Sequence, residues 1–200
     1  MKKIAVFASG SGSNFQAIAV AAQAGTLNAE ISLLVCDKPG AFAVDRADML
    51  SIPALVISPK SFPTKAAYEA EILQKLISLD VEMIVLAGYM RLIGPTLLEA
   101  YEGKIVNIHP SLLPSFPGKD AIGQALAAGV ETTGVTIHFV DEGMDTGPII
   151  ASASVKVEAG ETRESIQKKI QRIEHSLYPD VLEELLNGEE EAVQWEKSVH

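Results

Sequence analysis

Lys104-Ile105-Val106-Asn107-Ile108-His109-Pro110-Ser111-Leu112-Leu113-Pro114-Ser115-Phe116-Pro117-Gly118 begins as a strand and ends as a stiff loop. The apolar, β-branched run stops at His109-Pro110, and Pro110, Pro114 and Pro117 keep the residues after it out of any helix. On a strand, Asn107 and His109 share one face while Val106 and Ile108 take the other. A sheet edge would then present an amide and an imidazole side by side, the donors that a reaction through a tetrahedral oxyanion requires. The same pair could also do no more than cap loop backbone, so the reading depends on what surrounds it.

Upstream, Ile4-Ala5-Val6-Phe7-Ala8 is a continuous apolar run of buried-strand type. It leads into Ser9-Gly10-Ser11-Gly12-Ser13-Asn14 and then a helical pattern at Phe15, Ile18, Ala19 and Ala22. Strand, glycine loop and helix make the start of a phosphate site, since glycines admit backbone N–H groups to an anion and the helix N-terminus adds partial positive charge. The third glycine of a dinucleotide fingerprint is replaced by Phe15, and the Lys-Ser/Thr of a P-loop is missing. The alternative is a tight turn with Ser13 or Asn14 as helix cap. Asp37, ending the next strand, keeps a ribose-holding, dinucleotide-type reading open.

Strands at Ile31–Cys36, Ala54–Ile57, Met83–Ala87 and Ile105–Ile108 alternate with helices at Phe42–Leu50, Lys65–Leu79 and Pro95–Tyr101. This order predicts an α/β fold: a mostly parallel, doubly wound, Rossmann-like sheet with helices on both faces and ligands outside the strand C-termini. Three loops converge at that edge: Gly10 to Asn14, Gly88 to Ile93, and His109 to Gly118. Met90, Leu92 and Ile93 can either line a pocket there or tuck into the core. After a helix at Ala121–Ala128 the alternation ends in two strands, Thr133–Val140 and Pro148–Val155. Their short acidic connection, carrying Asp141, Glu142 and Asp145, predicts an antiparallel extension of the sheet. His138 reads as a half-buried sheet residue. A final helical stripe, Ile166, Ile170, Ile173, Leu177, Val181 and Leu185, spans about Thr162 to Asn187, with a kink expected at Pro179 and a stop at Gly188. Beyond it, Glu189-Glu190-Glu191 reads as a solvated acidic run, and Val193 and Trp195 as candidates to dock a last short strand.

Composition narrows the function. The 200 residues, 48% hydrophobic and 21% charged, fit a single domain, and a net charge of −10 argues against a broad nucleic-acid surface. The single cysteine, Cys36, lies inside a strand, so neither a disulfide framework nor a cysteine-based metal site is expected. Met1-Lys2-Lys3 precedes too short an apolar run for a signal peptide, and no segment is long enough to span a membrane. A cytoplasmic protein is the expectation.

Four motifs, in order and spacing, resemble the folate-dependent formyltransferases, and among them the glycinamide ribonucleotide transformylases. They are Gly10-Ser11-Gly12-Ser13-Asn14, Leu86-Ala87-Gly88-Tyr89-Met90-Arg91, Asn107-Ile108-His109-Pro110-Ser111-Leu112-Leu113-Pro114 and Met144-Asp145-Thr146-Gly147-Pro148. The resemblance spans essentially the whole chain and implies one domain. About residues 1–100 would form a phosphate-binding half and about 101–200 a catalytic and folate-binding half. It implies 10-formyltetrahydrofolate as formyl-donor co-substrate, no metal, and glycinamide ribonucleotide as acceptor in purine biosynthesis. Asn107, His109 and Asp145 would form the catalytic trio. Gly12, Ser13, Asn14 and Glu174 would hold the phosphoribosyl substrate. Lys65, Met90, Arg91, Leu92, Ile93, Asn107, Val140 and Asp141 would hold the folate, with Lys65 standing where many members carry Arg and so lacking the bidentate fork. The partners expected are small molecules, with no nucleic acid or membrane and with a homodimer left open. Methionyl-tRNA formylation and formyltetrahydrofolate hydrolysis are the nearest enzymatic alternatives, each calling for a further region. A non-catalytic nucleotide-binding module would leave Asn107, His109 and Asp145 unexplained.

Overall fold

The expected alternation appears as one eight-stranded sheet in the order β3-β2-β1-β4-β5-β6-β7-β8. The computed structural model describes residues 1–188 and, as backbone, 195–197. The strands are β1 (Lys2–Ala8), β2 (Ala29–Cys36), β3 (Ala54–Val56), β4 (Met83–Leu86), β5 (Ile105–His109), β6 (Thr132–Phe139), β7 (Ile149–Lys156) and β8 (Trp195–Lys197). From β3 across to β5 the neighbours pair in parallel, β6 runs antiparallel to β5 and β7, and β8 lies parallel to β7. The expected antiparallel extension is therefore present, as is a last short strand at Trp195. The acidic run at Glu189 to Glu191, and Val193, lie outside the described residues.

Helices cover both faces because each central strand is apolar on both. Ile4, Val6 and Val106 of one face pack with Phe15 and Ile18 of helix α1 (Ser13–Ala24), Ala43 and Ala47 of α2 (Phe42–Met49), Ile122 of α5 (Ala121–Ala127) and Ile166, Leu177 and Leu182 of α6 (Arg163–Asn187). On the other face Ala5, Phe7 and Ile105 pack with Tyr68 and Ile72 of α3 (Lys65–Ser78) and Leu97 of α4 (Pro95–Ala100). Fully burying one such side chain is worth about 1.5–3 kcal/mol, so these two layers carry the fold.

Helix α6 runs unbroken through Pro179, which is buried among its neighbours. One residue earlier, Tyr178 donates its hydroxyl to the Leu86 and Val106 carbonyls at 2.9 and 3.3 Å, fixing α6 over β4 and β5. The strand order reverses between β1 and β4, where a crevice opens at the strand C-termini of such sheets. The loops flanking that crevice are tied together, with Ser9 N–H donating to Gly88 O at 3.1 Å and Met90 N–H donating to Ser9 Oγ at 2.9 Å.

Candidate active site

Beyond the C-termini of β1, β4 and β5 lies a cavity of about 600 Å³, the size of a small-molecule site. At one end is the start of α1. Gly12, at φ 70°, is the cap residue, and no side chain caps the helix, so neither Ser13 nor Asn14 plays that part. The first N–H groups of α1 are therefore left for a ligand, as an anion site requires. Glycine at 12 has a second reason beyond backbone approach: a Cβ there would lie 2.7 Å from the Ala43 Cβ of α2.

Asn14 reaches from this loop to α6, donating from Nδ2 to Glu174 Oε2 at 3.1 Å. Glu174 is 7% exposed, and burial raises its carboxyl above the usual value, only partly offset by the Asn14 hydrogen bond. The Asn14 Oδ1 is buried without a hydrogen-bond partner among the described residues. An acceptor and a carboxylate so placed suit a ligand that brings hydroxyl donors.

At the other end β5 presents Asn107 and His109, as its alternation predicts. His109 is 5% exposed, with Nε2 2.9 Å from the Phe116 carbonyl and Nδ1 3.4 Å from Asp145 Oδ2. Both ring nitrogens thus face acceptors, an environment that satisfies an imidazolium. Asp145 takes the Gly118 N–H at 2.7 Å on Oδ2, and its Oδ1 lies 3.6 Å from His138 Nε2. Burial alone would raise the Asp145 carboxyl, but the bonds from His138 and Gly118 and the charge of His109 outweigh it and hold it below the ordinary value.

His138 is the residue that sequence reasoning passed over. Antiparallel pairing sets it directly opposite Asn107, and its Nε2 lies 3.1 Å from Asn107 Nδ2 and near Asp145. Counting the β5–β6 register back from the acidic connection would have found it. Arg163, at the start of α6, also lines the cavity, held by Asp120 at 2.6 Å.

The loop after β4 divides as its exposure dictates. Ile93 is 6% exposed and packs into the α3–α4 layer while also lining the cavity, whereas Met90 and Leu92 remain 64% and 50% exposed at its wall. Arg91 is oriented from behind, its Nε donating to the buried Asp37 Oδ2 at 2.8 Å. Asp37 is thereby paired with an arginine and is not among the residues lining the cavity, which speaks against it as a ribose ligand. Val140 and Asp141 also line the cavity, and the Asp141 carboxylate accepts from Gly143 N–H and Thr146 Oγ1 within its own loop. Lys65 lies outside the cavity lining. Its Nζ is 3.9 Å from Glu69 Oε1, a carboxylate that also accepts the Gly94 N–H. Among the described residues, no cluster of three or more His, Cys, Asp or Glu is arranged to hold a metal ion, and no helix is long and apolar enough to cross a membrane.

Comparison with known proteins gives this geometry its context. The formyl transferase family model matches residues 2–182. Over 186 residues the chain is 55% identical to phosphoribosylglycinamide formyltransferase of Bacillus subtilis, spanning 93% of this chain and 95% of that protein. It is 42% identical over 189 residues to the trifunctional purine biosynthetic protein adenosine-3 of Drosophila melanogaster, covering 94% of this chain and 14% of that longer protein. The crystal structure of glycinamide ribonucleotide transformylase 1 from Geobacillus kaustophilus superposes with a TM-score of 0.92 at 62% identity, over 94% of this chain and all of the other.

Proposed function

The chain belongs to the formyl transferase family, and from that premise we propose that it transfers the formyl group of 10-formyltetrahydrofolate to the amine of glycinamide ribonucleotide, in purine biosynthesis. The observation that carries this reading is a single cavity with an uncapped helix N-terminus at one end and an amide, an imidazole and a carboxylate at the other.

The acceptor's phosphate sits on the backbone of Gly12, Ser13 and Asn14, and its ribose hydroxyls donate to Glu174. The folate lies along Met90, Arg91, Leu92, Ile93, Val140 and Asp141. Lys65, outside the wall, can meet only a part of the donor that extends out of the cavity, its anionic tail. In this reading the first half of the chain supplies the phosphate loop and the second half the reacting groups, with Glu174 crossing back to Asn14.

The acceptor amine attacks the formyl carbon. A C–N bond forms, and the formyl oxygen gains negative charge as the carbon becomes tetrahedral. Asn107 donates a hydrogen bond to that oxygen, and protonated His109 does so from Nδ1, whose 3.4 Å contact with Asp145 is long enough to be shared. Asp145 keeps a negative charge beside the imidazolium, and a proton passes from the attacking nitrogen toward the leaving N10 before the old C–N bond breaks. Formylglycinamide ribonucleotide and tetrahydrofolate result, with no bond to the protein formed on the way.

Incubating the purified protein with both substrates, and following formyl loss from the donor together with formation of the formylated ribonucleotide, tests the reading. Turnover that depends on glycinamide ribonucleotide is expected. Donor consumption without that acceptor would instead identify a hydrolase.

A further inference from the structure

The catalytic imidazole rests on a backbone carbonyl, and that carbonyl belongs to a turn with a hold of its own. His109 Nε2 lies 2.9 Å from the Phe116 carbonyl. A carbonyl only accepts, so Nε2 must carry a proton, and Nδ1, facing Asp145, is the nitrogen left to give or take one. Phe116 holds φ at 55°, a left-handed conformation that a bulky side chain keeps only where its surroundings impose it.

The turn is braced by Ser111. Its side chain is fully buried, and its hydroxyl donates to the Ser115 carbonyl at 2.5 Å with the Phe116 carbonyl at 3.4 Å. Ser111 is itself pinned from β6, where the buried Thr136 hydroxyl donates to the Ser111 carbonyl at 2.6 Å and accepts the Leu113 N–H at 3.0 Å. The path from strand to loop to ring is thus continuous. β6 fixes Ser111, Ser111 fixes the turn at Ser115 and Phe116, and the turn fixes the Nε2 proton of His109.

We propose that Ser111 is a positioning residue for formyl transfer, acting through the Ser115–Phe116 turn to hold His109 with Nε2 protonated and Nδ1 facing Asp145 on the cavity wall. The proposal rests on the reading of His109 as the proton-carrying group. Ser111 is not among the residues lining the cavity. Its loss should therefore appear in the rate and not in binding, since misplacement of a reacting group by about 1 Å costs on the order of a hundredfold.

The test is a double-mutant cycle with Ser111→Ala and His109→Ala, supported by ring 15N NMR of His109. Ser111→Ala is expected to lower kcat between about tenfold and a hundredfold, with both Michaelis constants within about twofold. In the His109→Ala background it should cost nothing further, because the group it positions is gone. At a pH high enough to leave the ring neutral, the 15N spectrum should pass from a single Nε2-protonated form to a mixture of tautomers. If Ser111→Ala fails to fold, Ser111→Cys, nearly the same shape but a weaker donor, is read by the same three measures. Unchanged kcat in a folded variant, or an equal loss with and without His109, overturns the proposal. Wild-type turnover in His109→Ala alone overturns instead the reading on which it rests, so the two failures are distinguishable.

Discussion

Glu174 and Asp145 are carboxylates on the wall of one cavity, both largely withdrawn from water, and their surroundings drive them in opposite directions. Asp145 is given its partners in advance: the Gly118 N–H at 2.7 Å, His109 at 3.4 Å and His138 at 3.6 Å. These outweigh its burial and hold it ionised. Among the described residues Glu174 has only the Asn14 amide, so burial prevails and its carboxyl is raised. An end of the site that must stabilise a transient charge is preorganised, because partners that reorganise during the reaction contribute less to the rate. An end that must grip a ligand is left short of partners, because the ligand supplies them.

Stripping the preorganised end gives the largest effect. Asn107→Ala or His109→Ala should each lower turnover by about a hundredfold or more while leaving substrate binding nearly unchanged, the signature of donors used in the transition state. Steady-state kinetics at saturating and limiting substrate separate the two quantities. Turnover near the wild-type rate in either variant would take that residue out of the mechanism and leave the contrast with Glu174 without content.

Asp145→Asn removes the charge and keeps the shape, and should lower turnover by about tenfold to a hundredfold. With the anion opposite Nδ1 gone, the imidazolium loses its partner, so activity lost on raising pH should be lost at a lower pH than in the wild type. Stability responds as well. A carboxyl held below its ordinary value stabilises the fold fully above about pH 4 and ceases to do so as pH falls through its folded value. The variant's Tm should therefore lie below the wild type's at neutral pH and converge with it in strong acid. An unchanged pH–rate profile would reduce Asp145 to an ordinary turn carboxylate.

The opposite sign is expected at the other end. The raised Glu174 carboxyl favours the fold while protonated, and that contribution is lost as pH rises through its folded value. Glu174→Gln, neutral throughout, should therefore melt above the wild type at neutral pH, with the gain vanishing below about pH 4, where both folded and unfolded chains carry the proton. The same change should weaken the phosphoribosyl substrate by about tenfold, the worth of a hydrogen bond to a charged group, with kcat little altered. Calorimetry with that substrate and a melting series in pH are sufficient. A fall in both Tm and affinity would make Glu174 a structural residue and erase the contrast.

How far the sequence could be read depends on which interactions are local. The strand–helix alternation carries its own periodicity, so β1 to β5 and their helices were legible to within a residue or two. The glycine loop and Asn107-Ile108-His109-Pro110 were legible because glycine, proline and strand alternation act on neighbouring residues. What escaped depends on register between distant strands. His138 looked like any half-buried sheet residue until β5–β6 pairing set it against Asn107. Asp37 could be taken for a ribose ligand because nothing in its neighbourhood announces Arg91. The free N-terminus of α1 follows the phosphate-type reading of the glycine loop over the alternative of Ser13 or Asn14 as cap, but only the long-range bond to Glu174 shows where Asn14 is engaged.

Lys65 belongs to neither end, and so calibrates how far the site extends. Its side chain is 53% exposed, and the Glu69 carboxylate 3.9 Å away is shared with the Gly94 N–H. If the anionic tail of the folate passes Lys65 on leaving the cavity, the contact is an exposed ion pair worth ~0–1 kcal/mol, screened within about 10 Å at ordinary salt. Lys65→Ala should then raise the folate Michaelis constant by less than about fivefold at low salt, and by nothing measurable at high salt. Restoring a cation as Lys65→Arg should recover or exceed the wild-type value, because the guanidinium fork binds a carboxylate in two places. The Michaelis constant of the phosphoribosyl substrate should not move in either variant if that ligand is held, as proposed, by Gly12, Ser13, Asn14 and Glu174. A folate constant indifferent to Lys65→Ala at low salt would leave the lysine as the partner of Glu69 alone and end the folate site at Arg91.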